Sequence, residues 1–325
     1  MKALLCKTLD GHQNLTVEEV PAPTRASTEA LIDVKLTALN FFDTLITKGQ
    51  YQEQPPLPFS PGGEVAGVIR EVPEGNSDFS IGDRVMAYTG WGGLQQQLCL
   101  PLTKLIKIPE GISDEVAASL MITYGTAMHG LNERAHLQSG QMVVILGAAG
   151  GAGLAALEVA RAKGAKVIAV CSEDEKCQLT AERGADISLN STACDLKQEL
   201  KRITRGDGVD VVYDCVGGDL AEPALRALKW NGHYLVVGFA SGKIPSIPLN
   251  IIMLKGANVQ GVFLGRFIKE QPKAFKAQIQ QLLEWAEAGQ IKPHIHKIYP
   301  LAETVEALDQ LASRKARGKI LIQVS

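Results

Sequence analysis

Most features that mark a specialised class of protein are missing from this 325-residue chain. Charge of one sign is absent: 33 basic residues face 35 acidic ones, the net charge is -2, and no basic block occurs. Phosphate neutralisation, the force behind most nucleic-acid binding, has no support in that balance. No apolar run reaches the roughly 18–20 residues that a membrane-spanning helix needs. The segment Met1–Asp10 turns polar too soon for a secretory signal. Cysteine is sparse and scattered. Cys6, Cys99, Cys171, Cys177, Cys194 and Cys215 form no CxxC pair and no metal-spaced cluster. In a chain of this size they read as reduced, mostly buried thiols of a cytoplasmic protein. His129, His136, His233, His294 and His296 show no metal or triad spacing, and without a G-x-S-x-G motif a hydrolase reading has no support. What is present is an ordinary globular composition, 46% hydrophobic and 21% charged, in a chain long enough for two domains.

Residues 1–110 read as β-rich, with short apolar stretches at Ala30–Leu36, Val65–Val72 and Arg84–Tyr88 between Pro, Gly and Asp turn signals. From Asp114 to Leu131, after a capping Ser113, one or two helices are expected. A strand–helix rhythm then begins. Strands are expected at Met142–Leu146, Lys166–Val170, Asp210–Asp214, Tyr234–Val237 and Asn258–Val262. Helices are expected at Leu154–Lys163, Cys177–Arg183 and Leu220–Leu228. Such alternation implies a parallel sheet covered on both faces. Helices over Ala274–Ala288 and Pro300–Ala312 and a strand at Ile320–Val324 complete the chain.

The strongest local signal is Val143-Val-Ile-Leu-Gly-Ala-Ala-Gly-Gly-Ala-Gly153. A strand runs into a glycine cluster that opens a helix. Phosphates need this: a tight turn, a backbone free of Cβ atoms, and unpaired N–H groups at a helix start. In the G-x-G-x-x-G register the first glycine is replaced by Ala148, followed by Gly150 and Gly153. The segment Ala149-Gly150-Gly151-Ala152 is the expected diphosphate seat. At the end of the next strand, NAD enzymes place a carboxylate for the ribose 2′-OH, and NADP enzymes place small polar and basic groups. Here Ser172 occupies that place and Lys176 follows one helical turn later. The cofactor is therefore read as NADPH, with NADH the alternative. Glu173 and Asp174 stand beside them and read as solvated carboxylates in the first turn of a helix.

Further motifs resemble the medium-chain dehydrogenase/reductase superfamily, and within it the zinc-free quinone oxidoreductases of the zeta-crystallin type. Asn40-Phe-Phe-Asp-Thr44 resembles the N-F-x-D segment of those enzymes, and Pro61-Gly-Gly-Glu-Val-Ala-Gly67 the G-x-E-x-x-G stretch of the superfamily. Gly82-Asp-Arg-Val85, Tyr213-Asp-Cys-Val-Gly217, Val236-Val-Gly-Phe239, Gly261-Val-Phe-Leu-Gly265, Lys292-Pro-His294 and Arg317-Gly-Lys319 continue the match in order. The resemblance implies an α/β protein: a GroES-like β-barrel catalytic domain over 1–122 and 266–325, and a Rossmann nucleotide-binding domain with a doubly wound parallel sheet over 123–265. Zinc-dependent members hold their metal with a Cys where Asn40 stands and a His where Gly63 stands. Neither an amide nor a hydrogen replaces those ligands, so no metal is expected. Glu64 survives and reads as a structural carboxylate bonding backbone or Arg.

Without a Lewis acid the acceptor must already be electrophilic, as quinones and α,β-unsaturated carbonyls are. By resemblance, Asn40 and Tyr51 line the cleft beside the nicotinamide as catalytic hydrogen-bond donors, against turn chemistry and a loop aromatic as plainer roles. The family's second tyrosine position holds Leu45. Thr126 matches a contact to the nicotinamide carboxamide, or is a helix-interior hydroxyl. Val216, Gly238, Phe239, Ala240, Phe263, Leu264 and Gly265 lie just past expected strand ends, where backbone groups hold the nicotinamide ribose and amide. The expected activity is NADPH-dependent reduction of a small-molecule quinone or enone. An enoyl-thioester reductase, and a cofactor-binding protein with an RNA-binding or structural role, are the alternatives. Neither nucleic acid nor membrane is expected as a partner. Pairing of the last sheet strand across a two-fold axis points to a homodimer.

Overall fold

The computed structural model describes residues 1–76 and 78–325 and divides into two compact units, Met1–Ile122 with Pro293–Ser325, and Thr123–Lys292. Along the chain the first strands are β1 (Lys2–Leu5), β2 (Thr16–Glu19), β3 (Glu29–Leu39), β4 (Glu64–Glu71), β5 (Arg84–Tyr88), β6 (Gln97–Pro101) and β7 (Leu105–Lys107). Then come β8 (Met142–Leu146), β9 (Lys166–Cys171), β10 (Ile187–Asn190), β11 (Val209–Asp214), β12 (Leu228–Val236) and β13 (Asn258–Gly261). The last are β14 (Ile295–Pro300) and β15 (Lys319–Gln323).

The first unit is built on a seven-stranded sheet ordered β14-β15-β3-β4-β5-β7, with β6 also paired to β3. All pairings are antiparallel except β14 with β15. The long strand β3 joins the sheet because Ala30, Ile32 and Val34 bury at alternate positions, in a core with Val65, Ile69, Val85, Leu98, Ile320 and Ile322. Each large aliphatic side chain sealed there contributes about 1.5–3 kcal/mol. The C-terminal strand β15 pairs with β3 from Ile320↔Leu39 to Gln323↔Leu36, so residue 319 is carried next to the start of the Asn40 segment.

The second unit holds six parallel strands ordered β10-β9-β8-β11-β12-β13. Val143–Leu146, Val167–Cys171 and Val209–Asp214 are buried throughout, as strands covered on both faces must be. The order reverses direction at β8, and a dinucleotide crosses such a sheet at that switch. The strand β10 has no counterpart in the sequence reading, because its residues are all half-buried at a sheet edge and carry no strong pattern.

The return to the first unit comes at Pro293, later than the residue 266 expected from the sequence. The helix Pro272–Glu287 is the reason. Its Phe275, Ile279, Leu282 and Leu283 are buried, and the Phe275 ring lies 3.1 Å from where a Cβ on Gly125 would stand. Its apolar face thus belongs to the nucleotide-type unit.

Candidate active site

The glycine turn is shaped as its sequence requires. Gly147 has φ +74, and the Val216 side chain would meet any Cβ there at 2.7 Å. A Cβ on Gly153 would lie 2.2 Å from Gly147 O, so only glycine lets this helix close on the turn. The helix Gly151–Ala162 starts at Gly150 with no side-chain cap, and its first residues remain half-buried rather than sealed. Uncapped N–H groups and the positive dipole end of a twelve-residue helix are what a diphosphate binds. The residues present at Ala149, Gly150, Gly151 and Ala152 fit that group.

The end of β8 is tied to β9, since Gly147 and Ala148 donate to Val170 O at 3.0 and 3.1 Å. Ser172 follows β9, and Lys176 reaches back to it: Nζ is 3.4 Å from Ser172 Oγ and 2.8 Å from Glu173 Oε1. Glu173 therefore does not simply face water; it is bonded to the lysine expected to receive a phosphate. Asp174 accepts from Asn190 Nδ2 at 2.7 Å.

Asp214, at the end of β11, organises the next loop. Its Oδ1 accepts from the N–H groups of Val216 and Gly217, both at 2.8 Å, and its Oδ2 from the buried Tyr234 hydroxyl at 2.5 Å. Gly238 and Ala240 donate to Asp214 O and Cys215 O. The expectation that this backbone serves a ligand is narrowed accordingly: the N–H groups of Val216, Gly238 and Ala240 are already bonded within the protein. The ring of Phe239 packs on Gly217. Phe263 is 40% exposed, while Leu264 and Gly265 are buried in the first turn of the helix Leu264–Glu270. Thr126 is half-buried in the α-helical turn Gly125–Met128, between the π-helical turns Leu120–Tyr124 and His129–Arg134. Such π turns recur at functional sites. Within the second unit the glycine turn, Ser172, Lys176 and the loops after β11 and β12 thus stand at the carboxyl ends of neighbouring strands.

In the first unit, Asn40 caps the helix Phe41–Ile46 in a reciprocal box with Asp43: Asn40 N donates to Asp43 Oδ2 at 2.8 Å. Asp43 Oδ1 accepts from Gly62 N at 3.0 Å. Burial outweighs these bonds and pushes the Asp43 carboxyl up to about 7. The Asn40 amide donates to Glu64 Oε1 at 3.0 Å and to Ala38 O at 3.2 Å, and its Oδ1 accepts from Lys319 Nζ at 2.8 Å. Lys319 also donates to Glu64 Oε1 at 2.8 Å and Leu39 O at 3.2 Å. Glu64 Oε2 accepts from Ile122 N at 2.8 Å. The structural reading of Glu64 is met by a backbone amide and a lysine, not an arginine. Both Asn40 amide hydrogens are thus held inside the protein, by Ala38 O and Glu64 Oε1.

Tyr51 is half-buried, with its ring 5.1 Å from that of Phe42. Burial, then the charges of Glu53 and Asp43, raise its phenol to about 12. A second phenol, Tyr88, stands directly across from Glu64 in the β4–β5 register, and burial raises it further still. The space beside Gly63 is filled. A Cβ there would lie 2.3 Å from Phe42 Cζ and 3.1 Å from Ile122 Cδ1.

Lys319, Asp43, Asp214 and Tyr88 are the residues the sequence reading did not single out. The first three lie inside the motifs Arg317-Gly-Lys319, Asn40-Phe-Phe-Asp43 and Tyr213-Asp214; Tyr88 ends the strand after Gly82-Asp-Arg-Val85.

Residues 151–287 match the zinc-binding dehydrogenase family, and residues 26–110 the alcohol dehydrogenase GroES-like domain. The chain is 38% identical over 325 residues to quinone oxidoreductase-like protein 2 of Bos taurus, covering 99% of this chain and 92% of that one. It is 32% identical over 306 residues to a probable quinone oxidoreductase of Schizosaccharomyces pombe, covering 94% and 91%. Among solved structures, Escherichia coli quinone oxidoreductase complexed with NADPH matches with a TM-score of 0.92 at 29% identity, over 99% of this chain and 100% of that one. The chain belongs to the medium-chain dehydrogenase/reductase family, with its GroES-like domain and Rossmann sheet. Within that family it falls among the quinone oxidoreductase-like proteins, and it is an oxidoreductase.

Proposed function

We propose that the protein is an NADPH-dependent reductase that works without zinc on quinones or other activated α,β-unsaturated carbonyls. The observation that carries this reading is the ring of Phe42 against Gly63. It fills the position at which zinc-dependent relatives present a ligand, while the dinucleotide turn keeps Gly147, Gly150 and Gly153. The bonded amide of Asn40 supports it from the other ligand position.

The reduced nicotinamide, when bound, supplies a hydride. Ala149–Ala152 hold the diphosphate through backbone N–H groups, and Ser172 with Lys176 receives the ribose 2′-phosphate. Thr126, Phe239, Phe263, Leu264 and Gly265 border the nicotinamide end. Tyr51, held well above the ordinary phenol range, stays protonated and donates a hydrogen bond to the oxygen that gathers charge. Asn40 is a positioning residue: it fixes the backbone ahead of Phe42 and Tyr51. A preformed electrophile needs no more polarisation than this, which is why quinones and enones suit the site better than unactivated ketones.

Oxidation of NADPH and NADH against a panel of ortho- and para-quinones, with a crotonyl thioester as control, tests the reading. Expected are quinone turnover, preference for NADPH, and protein without stoichiometric zinc. Preference of ten-fold or more for NADH, or reduction of the thioester alone, overturns it. We further propose a cytoplasmic homodimer joined along the edge strand β13, where Val259 is exposed, as are Leu249 and Met253 on the preceding helix Leu249–Lys255. Among the described residues no helix is long and apolar enough to cross a membrane. A monomer at micromolar concentration by light scattering would refute the dimer.

A further inference from the structure

Each of the chain's six tyrosines has a distinct fate, and the fates sort by chemistry. Tyr124 donates to Glu158 at 2.7 Å and Tyr234 to Asp214 at 2.5 Å. The Tyr213 hydroxyl is sealed in the core with no partner, and Tyr299 is buried under Lys297. Tyr51 and Tyr88 differ from all four. Both are half-buried, neither hydroxyl has a hydrogen-bond partner among the described residues, and neither is sealed from solvent. A phenol fixed by apolar neighbours with its hydroxyl left open is poised to donate to a ligand.

The two stand in one neighbourhood. Tyr88 ends β5 opposite Glu64, and the next two amides, Thr89 and Gly90, donate to Gly63 O at 2.8 and 3.2 Å. This places the end of β5 beside Gly63 and Glu64. Phe42 packs on Gly63 from the other side and touches Tyr51. Tyr51, Glu53, Asp43 and Glu64 each hold the Tyr88 phenol up after burial does. Tyr51 and Tyr88 are thus within electrostatic reach of each other, on either side of the Phe42–Gly63 contact.

We propose that Tyr88 is a second acceptor-binding phenol, paired with Tyr51 so that the two donate to the two oxygens of a quinone. This rests on the quinone reductase reading above. A hydride delivered to a ring carbon of a quinone leaves one oxygen as an enolate and the other as a carbonyl, so one donor stabilises the developing charge while a second holds and polarises the opposite oxygen. In the balanced step, one C–H bond of the reduced nicotinamide breaks, its hydride forms a C–H bond at the quinone ring as a C=C π pair moves onto one carbonyl oxygen, and that oxygen takes one proton from water before the product tautomerises to the hydroquinone. Both phenols keep their O–H bonds and act only as donors. With Leu45 at the place where relatives carry their second tyrosine, Tyr88 supplies that function from a different strand.

The test compares wild type with Tyr88→Phe and Tyr51→Phe. Tyr88→Phe is expected to lower kcat/KM for para-quinones at least ten-fold and to lower it less for a simple enone, which has one oxygen. NADPH affinity, measured by fluorescence, should stay within two-fold. Without cofactor, the visible band of bound 4-nitrophenolate, a stable phenolate probe, should be shifted in wild type and lose part of that shift in each variant. Quinone kinetics within two-fold of wild type and an unchanged probe spectrum for Tyr88→Phe overturn the proposal while leaving the reductase reading intact. A wild type that binds NADPH yet reduces no quinone overturns the reading itself, and this inference with it.

Discussion

The ring of Phe42 occupies the place that a side chain on residue 63 would need, 2.3 Å from a Cβ built there. Real side chains do not tolerate that approach, so the Phe42 ring in this position requires glycine at residue 63. Gly63→Ala is expected to cost about 1–3 kcal/mol through overpacking, read as a lower melting temperature. The pair Asn40→Cys with Gly63→His, which restores the family's ligand types, should still bind less than stoichiometric zinc by elemental analysis, because the imidazole has no room. Full zinc loading of that double variant would show that the packing is not the obstacle.

Lys319 and Glu64 form an ion pair at 2.8 Å with side-chain exposures of 3% and 0%. A pair this deep is costly to break from one side, since the partner is left charged and alone. Lys319→Met strands both Glu64 and the Asn40 carbonyl oxygen, and should destabilise the first unit by about 3–5 kcal/mol. Urea unfolding followed by a probe in that unit measures it. Because Asn40 caps the helix that carries Phe42, quinone turnover should fall while NADPH binding, seated on the glycine turn, holds. Equal loss of both would mean that Lys319 supports the whole chain rather than the Asn40 segment.

Much of this was legible in the sequence, for reasons that also explain what was not. The strands β8, β9 and β11 are short, largely apolar runs each preceded within two residues by a glycine, and buried parallel strands have few other ways to be written. The turn 147–153 announced its geometry because Gly147 and Gly153 sit where a Cβ cannot. The role of Asn40 was not legible. Its partner Lys319 lies 279 positions away, and only the β15–β3 pairing brings them together. Tyr88 was missed for a related reason: an open hydroxyl is a property of its surroundings, not of its neighbours in sequence. The amphipathic pattern of 274–288 says that a face is buried, not which unit buries it.

Cofactor choice turns on Lys176, whose ammonium lies between Ser172 and Glu173. A charge-assisted bond to a phosphate is worth about 1.5–3 kcal/mol. Lys176→Ala should therefore raise KM for NADPH about ten-fold or more and leave KM for NADH nearly unchanged. Glu173→Gln removes the carboxylate that competes for the ammonium and repels the phosphate. It should lower KM for NADPH. Steady-state kinetics with both cofactors at a fixed quinone concentration separates these outcomes. A uniform change for NADPH and NADH would place the 2′-phosphate elsewhere.

The buried carboxyl of Asp43 gives the fold a pH signature. Its value in the folded protein is raised to about 7, chiefly by burial, against about 3.9 for an unfolded aspartate. Between those limits the native state holds a proton that the unfolded chain has released. The stability it contributes is complete below about pH 4 and is lost as pH rises toward 7, the reverse of an ordinary salt-bridged carboxylate. Asp43→Asn cannot titrate. It keeps one acceptor for two amides, Asn40 N and Gly62 N, so it should melt lower than wild type at pH 5, by an amount set by one unpaired buried N–H, about 1–3 kcal/mol. The deficit should shrink between pH 5 and pH 7.5 as wild type loses its advantage. Melting curves recorded for both proteins across that range decide it, and two lines that stay parallel would mean that Asp43 is ionised throughout, held by Lys319 and the two amides against its burial.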